Sequence, residues 1–300
     1  MEQDKLVFPA AWWHAEGEVA VCDLCPHGCR LKAGALGRCG VRLNQGGRLV
    51  SLVHGRPAAV HVDPIEKKPL YHFLPGTYSF SIGTVGCNLG CLFCQNWELS
   101  TAKAALPTRP PPADFTPARI AAMARIEGCQ SVSLTYNEPT VWAEYGLEIA
   151  KAAHAAGLKT VSVTNGYIQP AAAAEFYRHI DAANVDLKAF DDDFYRRLCG
   201  GRLEPVLAAL KLLRRLGVHL EVTNLLIPGE NDGAPGIREL CRWVVSELGA
   251  ATPLHFSAFY PAHKLLDKPV TPRRTLDLAA GIAAAEGLRH VHLGNLHLAT

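Results

Sequence analysis

Cys87, Cys91 and Cys94 are the residues of this chain whose type and spacing most directly imply chemistry. Three thiolates in the segment Cys87-Asn-Leu-Gly-Cys91-Leu-Phe-Cys94 can hold three irons of a 4Fe-4S cluster and leave the fourth iron without a protein ligand. Clusters that only transfer electrons usually take four cysteines, whereas an open iron can bind a small chelating ligand. Phe93, just before the last thiol, is placed to stack on something flat beside the cluster. Gly83, Gly86 and Gly90 suit a backbone that must wrap closely round such a group. The alternative is a zinc knuckle or a set of free thiols. No fourth Cys or His follows closely behind Cys94, so a closed tetrahedral zinc site is poorly supplied.

A second set, Cys22, Cys25, Cys29 and Cys39, lies in the Gly-rich opening and is enough to close one metal site. Zinc there would be structural, a second iron-sulfur cluster could relay electrons or bind substrate, and soft thiolate sites accept either. Four free thiols are the reading without metal. Cys129 and Cys241 read as buried small hydrophobes on helical faces. Cys199-Gly200-Gly201 reads as a helix C-cap, with Cys199 as a candidate catalytic thiol if it lies over the substrate side of the site. His61, Asp63, Lys67 and Lys68 read as isolated, solvated polar residues.

The elements that must position these groups follow from periodicity. From about residue 80 onward, short β-branched or apolar runs alternate with Ala-rich helical stretches, the pattern of repeated β-α units. Strands are expected near 80–85, 131–135, 159–164, 183–187, 218–224, 254–259 and 290–294, with helices such as Pro139 to Ala156 and Leu203 to Leu216, the latter stopped by Gly217. Each polar motif falls where a strand ends: Thr135-Tyr-Asn-Glu-Pro139, Thr164-Asn-Gly166, Asp186-Leu-Lys188, Asn224 and Gly294-Asn295. Carboxyl-end loops of a parallel β-α barrel open on one face, so these groups and the cysteine loop are expected to surround one cavity. The chain therefore reads as α/β, a partial (β/α) barrel over 79–300 with a small Cys-rich β subdomain over 1–78, whose hairpin turns at Asn44-Gln-Gly-Gly47.

Composition excludes several classes. With 300 residues, 49% hydrophobic and 19% charged, the chain suits one core with a small appendage, and it has no apolar run of membrane-spanning length. A formal charge of +2 argues against a nucleic-acid footprint. The start, Met1-Glu-Gln-Asp-Lys-Leu, lacks the basic and apolar regions of a secretory signal, so a cytoplasmic location is expected. Ten cysteines in such a chain are metal ligands and buried hydrophobes rather than a disulfide framework.

The CxxxCxxC spacing with an aromatic before the last cysteine resembles the signature of radical S-adenosylmethionine (SAM) enzymes. That resemblance implies a barrel of the radical SAM type, a 4Fe-4S cluster and SAM as cofactors, anaerobic oxidoreductase chemistry, and a low-potential electron donor such as a flavodoxin or ferredoxin. The amine and carboxylate of SAM would chelate the open iron, and reductive cleavage would give a 5′-deoxyadenosyl radical that abstracts hydrogen from a substrate. By similarity to the pyruvate formate-lyase-activating branch, Glu138 would take the amine and Lys188 the carboxylate; the bland readings are a first-turn glutamate and an exposed strand-end lysine. Phe93, Thr164, Asn165 and Asn224 join them as expected SAM contacts, and Tyr260, flanked by His255 and His263, is expected at the ribose. Val163 stands where activases have an Asp before Thr-Asn-Gly, so the resemblance does not extend to their monovalent cation.

A narrower resemblance, over nearly the whole chain, is to the radical SAM proteins of the AmmeMemoRadiSam system. It rests on Cys22-Asp-Leu-Cys-Pro-His-Gly-Cys29, His61 to Pro75, Ser81 to Asn96, Thr135 to Thr140, Val163 to Gly166, Ala183 to Lys188 and Leu226-Ile-Pro-Gly229. It implies MEMO-like and AMMECR-like partners. Several relatives carry a cysteine-bearing tail where this chain ends at Thr300, and that tail is expected to be dispensable for the reaction. The alternatives are an activase that installs a glycyl radical on a partner enzyme and a non-catalytic, metal-stabilised scaffold.

Overall fold

The Gly-rich opening forms two small antiparallel sheets. Strands β2 (Trp13–Glu16), β3 (Val19–Cys22) and β4 (Arg30–Leu31) make one; β1 (Phe8–Pro9), β5 (Arg42–Gln45) and β6 (Arg48–Ser51) make the other. The β5–β6 turn is the expected hairpin: Gly46 and Gly47 both have positive φ, as a tight two-residue turn requires, and Gly47 N donates to Asn44 Oδ1 at 2.8 Å. Asn44 Nδ2 donates to the carbonyls of Glu18 and Leu31, which fastens the two sheets together.

The computed structural model describes residues 6–297; the acidic Met1 to Lys5 start and residues 298–300 lie outside the described residues. Its main sheet has eight strands in chain order: β7 (Ala59–Pro64), β8 (Tyr78–Gly83), β9 (Ser131–Leu134), β10 (Lys159–Thr164), β11 (Ala182–Asp186), β12 (His219–Leu226), β13 (Leu254–Ala258) and β14 (Val291–Gly294). β8 to β14 run parallel with helices between them, and β7 pairs antiparallel with β8. β7 precedes residue 79, so the sheet begins inside the segment expected to be the subdomain. The partner that makes Ala59–Pro64 a strand is β8, across a loop, and that pairing is not a local property of the sequence.

Strand side chains alternate faces, and here the two faces differ in chemistry. Phe80, Ile82, Val132, Leu134, Val222 and Phe256 point outward into the main core beneath the helices. Most inward positions, Ser79, Ser81, Ser131, Ser133, Asn184, Asp186, Glu221, Thr223, His255 and Ser257, are polar and mostly small, with Val161, Val163, Ala182 and Leu225 as apolar exceptions. Parallel strands covered on both faces usually read as continuous apolar runs. The polar inner face leaves room and hydrogen-bonding groups for a site in the barrel mouth.

Segment 65–77 closes the opposite end. Ile65 and Leu70 pack on Val161 and Ala182. Glu221 is fully buried and accepts from the backbone N–H groups of Tyr71 and His72, at 3.1 and 2.8 Å, and pairs with His219 and His255, at 3.1 and 2.6 Å. A buried carboxylate is tolerable when fully bonded in this way.

Candidate active site

The strand-end expectation places the site at the carboxyl ends of β8 to β14. After β8 the chain turns through Thr84-Val85-Gly86 into the cysteine loop, and Asn137 clasps that turn. Its Nδ2 donates to the carbonyls of Val85 and Gly86, at 3.1 and 2.8 Å, while its Oδ1 accepts from Thr84 N at 3.1 Å and from the Trp142 indole. Gly86 has φ +88°, and a Cβ there would lie 2.5 Å from the Cys39 carbonyl oxygen, so glycine is required. Asn88, fully buried, donates to the Tyr167 carbonyl at 2.6 Å and accepts from Asn165 Nδ2 at 2.9 Å. The loop then lies against 198–199, with Gly90 N donating to Cys199 O at 2.8 Å and Leu92 N to Leu198 O at 2.9 Å.

Cys87, Cys91, Cys94, Phe93, Glu138, Thr164, Asn165 and Lys188 line one cavity of about 360 Å³. The residues suit a cluster on their own chemistry. Three thiols face a common space, and Cys87 Sγ is approached by Leu89 N at 3.4 Å and Asn165 Nδ2 at 3.7 Å, donors that favour thiolate sulfur. Burial pushes the Cys87 thiol well up.

Glu138 is held rigidly. Its Oε1 accepts from Thr140 N at 2.9 Å and from the hydroxyls of Thr140 and Thr164, both at 2.7 Å; its Oε2 accepts from Asn165 N at 2.7 Å. Burial raises its carboxyl above the usual range, and these donors pull the other way. Lys188 sits 3.0 Å from Asp186 Oδ2, with its Nζ 5.8 Å from the Phe93 ring centre. Burial works against its charge, but Asp186 and the thiols of Cys91 and Cys199 outweigh it and hold the ammonium protonated well above the ordinary lysine range.

Two of the expected SAM contacts, Asn224 and Tyr260, fall elsewhere, as do the flanking histidines and Cys199. Asn224 points outward from β12, its Nδ2 donating to the carbonyls of Leu187 and Lys188 at 2.7 and 3.1 Å; its neighbours Thr223 and Leu225 line the cavity instead. Tyr260 lies two residues beyond the end of β13, outside the cavity, where Ser257 is that strand's lining residue. His255 shares the inward face with Ser257 but binds Glu221 at the far end of the barrel, and His263 stacks on Trp97. Cys199 is fully buried beside Cys91 and absent from the cavity wall; Gly200, at φ +68°, caps its short helix as expected. Cys241 is a buried helical hydrophobe, and Cys129 is buried in the turn before β9 rather than on a helix.

Lys68 is not solvated. Its Nζ is 2.7 Å from Asp63 Oδ2, which also accepts from the Tyr136 hydroxyl at 2.6 Å, and Lys67 lines the cavity. Asp186 and Tyr136 line the cavity as their strand-end motifs led one to expect, but sequence reasoning gave neither a role of its own. Tyr136 carries a positive φ of 71°, a strained conformation for a bulky residue, held by Asn96 Nδ2 donating to its carbonyl at 2.8 Å.

The four opening cysteines also converge: Cys22, Cys25, Cys29 and Cys39 line one small pocket with His27, Arg38, Arg42 and Thr140. His27 Nε2 donates to the Asn88 carbonyl at 2.7 Å, which places this pocket against the cysteine loop of the cavity.

An open parallel barrel with a three-cysteine loop and a polar cavity at its carboxyl end defines the class of proteins that cleave SAM at a cluster. Residues 81–241 match the Radical SAM superfamily, and this chain belongs to it. Membership carries a 4Fe-4S cluster and SAM as cofactors, and members are generally enzymes. The chain is 42% identical over 277 residues to the uncharacterized protein MJ0808 of Methanocaldococcus jannaschii, covering 92% of this chain and 81% of that one. Its fold is similar to that of Streptococcus suis SuiB bound to the precursor peptide SuiA, with TM-score 0.56 and 16% identity over 77% of this chain and 51% of SuiB. It is also similar to a radical SAM methyltransferase from Sphaerobacter thermophilus, with TM-score 0.54 and 19% identity over 74% of this chain and 67% of that one. At these identities the two likenesses are of fold. Among the described residues no helix is long and apolar enough to cross a membrane.

Proposed function

We propose that this chain is an enzyme of the AmmeMemoRadiSam kind that cleaves SAM reductively and takes a hydrogen atom from a small-molecule or short flexible substrate. The observation that carries the reading is the shared wall of one cavity: three cluster thiols, Phe93, Glu138 and Lys188 all face the same space. The cluster, when bound through Cys87, Cys91 and Cys94, would supply one electron to the S–C5′ bond of SAM, releasing methionine and a 5′-deoxyadenosyl radical.

The protein's own residues bind and orient. Lys188, kept protonated by Asp186, suits the methionyl carboxylate, and Glu138, fixed by donation from Thr164 Oγ1 and Asn165 N, keeps on Oε2 an acceptor site suited to the amine. Phe93 backs the cluster side, and Asn224 fixes the Lys188 loop from behind. The cavity opens at the barrel mouth beside the groups that would hold SAM, which suits a small or narrow substrate. A second metal centre at Cys22, Cys25, Cys29 and Cys39, a flavodoxin-like or ferredoxin-like donor, MEMO-like and AMMECR-like partners and a cytoplasmic location belong to the same proposal.

The test incubates reduced enzyme and SAM with deuterated cell extract split into protein and low-mass fractions. Deuterium in 5′-deoxyadenosine from the low-mass fraction is the expected result. Label arriving only from the protein fraction, with a persistent glycyl radical by electron paramagnetic resonance, would replace this reading with the activase.

A further inference from the structure

We infer that Cys22, Cys25, Cys29 and Cys39 hold a second 4Fe-4S cluster, with every iron bound by the protein, that passes single electrons to the centre at Cys87, Cys91 and Cys94. The electron route rests on the proposed SAM cleavage; the cluster assignment stands without it.

Two turns bring the four thiols together. Cys22 ends β3 and its N–H donates to the Cys29 carbonyl at 2.9 Å, which folds Cys25 back between them; Gly40 N donates to Gly37 O at 2.9 Å and turns Cys39 into the same pocket. Cys22, Cys25, Cys29 and Cys39 line one pocket, which meets the need of a cluster that takes one thiolate per iron, in a chain whose superfamily carries a 4Fe-4S cofactor.

The pocket wall supplies a second, independent observation. Arg42 is 1% exposed, lines the pocket, and its Nε–H is buried without a hydrogen-bond partner, although both terminal nitrogens are bonded to Glu144. A buried unpartnered donor is costly, and a sulfur of an anionic cluster would satisfy it.

The two cysteine loops touch through one side chain. His27 stands between Cys25 and Cys29, and its Nε2–H donates to the carbonyl of Asn88, between Cys87 and Cys91. Thr140 lines the opening pocket while its N–H and hydroxyl hold Glu138 in the cavity. An electron therefore has a short bonded path through His27 and Asn88, neither of which lines the cavity where SAM and substrate would sit. In that step a low-potential donor of the ferredoxin or flavodoxin class is oxidised by one electron. The second cluster is reduced by one and reoxidised as the electron passes to the SAM-cleaving centre, with no bond made or broken.

The triple variant Cys87→Ala, Cys91→Ala, Cys94→Ala, prepared anaerobically with iron, sulfide and zinc all present, tests the assignment. About four irons with matching sulfide per chain are expected, against about eight in the parent. Zinc without sulfide, or no metal, overturns the cluster. For the electron route, the paramagnetic resonance spectrum of the dithionite-reduced parent is compared with the sum of the triple variant and Cys25→Ser/Cys29→Ser. Broadening beyond that sum is expected from two neighbouring spins; a spectrum equal to the sum overturns the exchange. Failure of the parent to form 5′-deoxyadenosine would remove the SAM proposal while leaving the iron count to decide this one.

Discussion

Lys188 and Glu138 differ in how each is supported, and the difference sets what their replacement does. Lys188 has one ionic partner, Asp186, so Lys188→Ala removes a charge-assisted contact worth about 1.5 to 3 kcal/mol. SAM affinity should fall roughly ten- to hundredfold by anaerobic equilibrium dialysis, at unchanged iron content. Unaltered affinity would mean that Lys188 does not contact SAM. Glu138→Gln should behave differently, because the carboxylate accepts four hydrogen bonds and an amide NH₂ would face donors. It should lower the melting temperature as well as SAM binding. Asp63 gives a pH signature. Burial raises its carboxyl, but Lys68 and Tyr136 more than reverse this and hold it at about 2. A carboxyl depressed in the fold stabilises above its unfolded value and loses that contribution as pH falls toward the folded one. Asp63→Asn should therefore cost on the order of 1 kcal/mol at neutral pH, and the difference from the parent should shrink between about pH 4 and pH 2 in urea titrations. A gap independent of pH would contradict the pairing.

At the scale of elements, the parallel strands and their carboxyl-end motifs were legible because strand period, helix-forming Ala runs and Gly stops are local properties. Leu203–Leu216 ends at Gly217 in the left-handed conformation, as read. Facing was less legible: Asn224 needed a register, and a shift of one residue moves a strand side chain to the other face. Lys68 looked solvated because its partners Asp63 and Tyr136 come from β7 and the turn after β9, which only the sheet brings together. Gly86 shows how one loop position serves two sheets. Gly86→Ala would force a Cβ against Cys39 O and, at 2.6 Å, Val41 Cγ1 in a left-handed backbone, so it should cost about 2 to 4 kcal/mol and reduce iron retained on reconstitution. Parental stability and iron would show that the subdomain does not press on the cysteine loop as described.

On the scale of the whole molecule, the Cys-rich opening is bolted to the barrel by a buried ion pair. Both terminal nitrogens of Arg42 reach Glu144, at 3.1 and 2.8 Å, and Ala11 N donates to the same carboxylate at 2.7 Å. Removing one partner of a buried pair typically costs about 3 to 5 kcal/mol, so Glu144→Ala should be strongly destabilised in thermal denaturation. A melting temperature equal to the parent's would deny the pair that role. Those contacts were invisible to sequence reasoning, which had no way to join Arg42 to Glu144 across the chain. The cluster loop, its cavity and the opening pocket become one working unit only through such long-range pairings. The most direct test of the account is anaerobic reconstitution with iron and sulfide, reduction with dithionite in the presence of SAM, and chromatography for 5′-deoxyadenosine. The parent should form it, and Cys87→Ala, Cys91→Ala and Cys94→Ala should each abolish it. No 5′-deoxyadenosine from a parent carrying its iron, or undiminished yield from any of the three variants, would contradict SAM cleavage at this site.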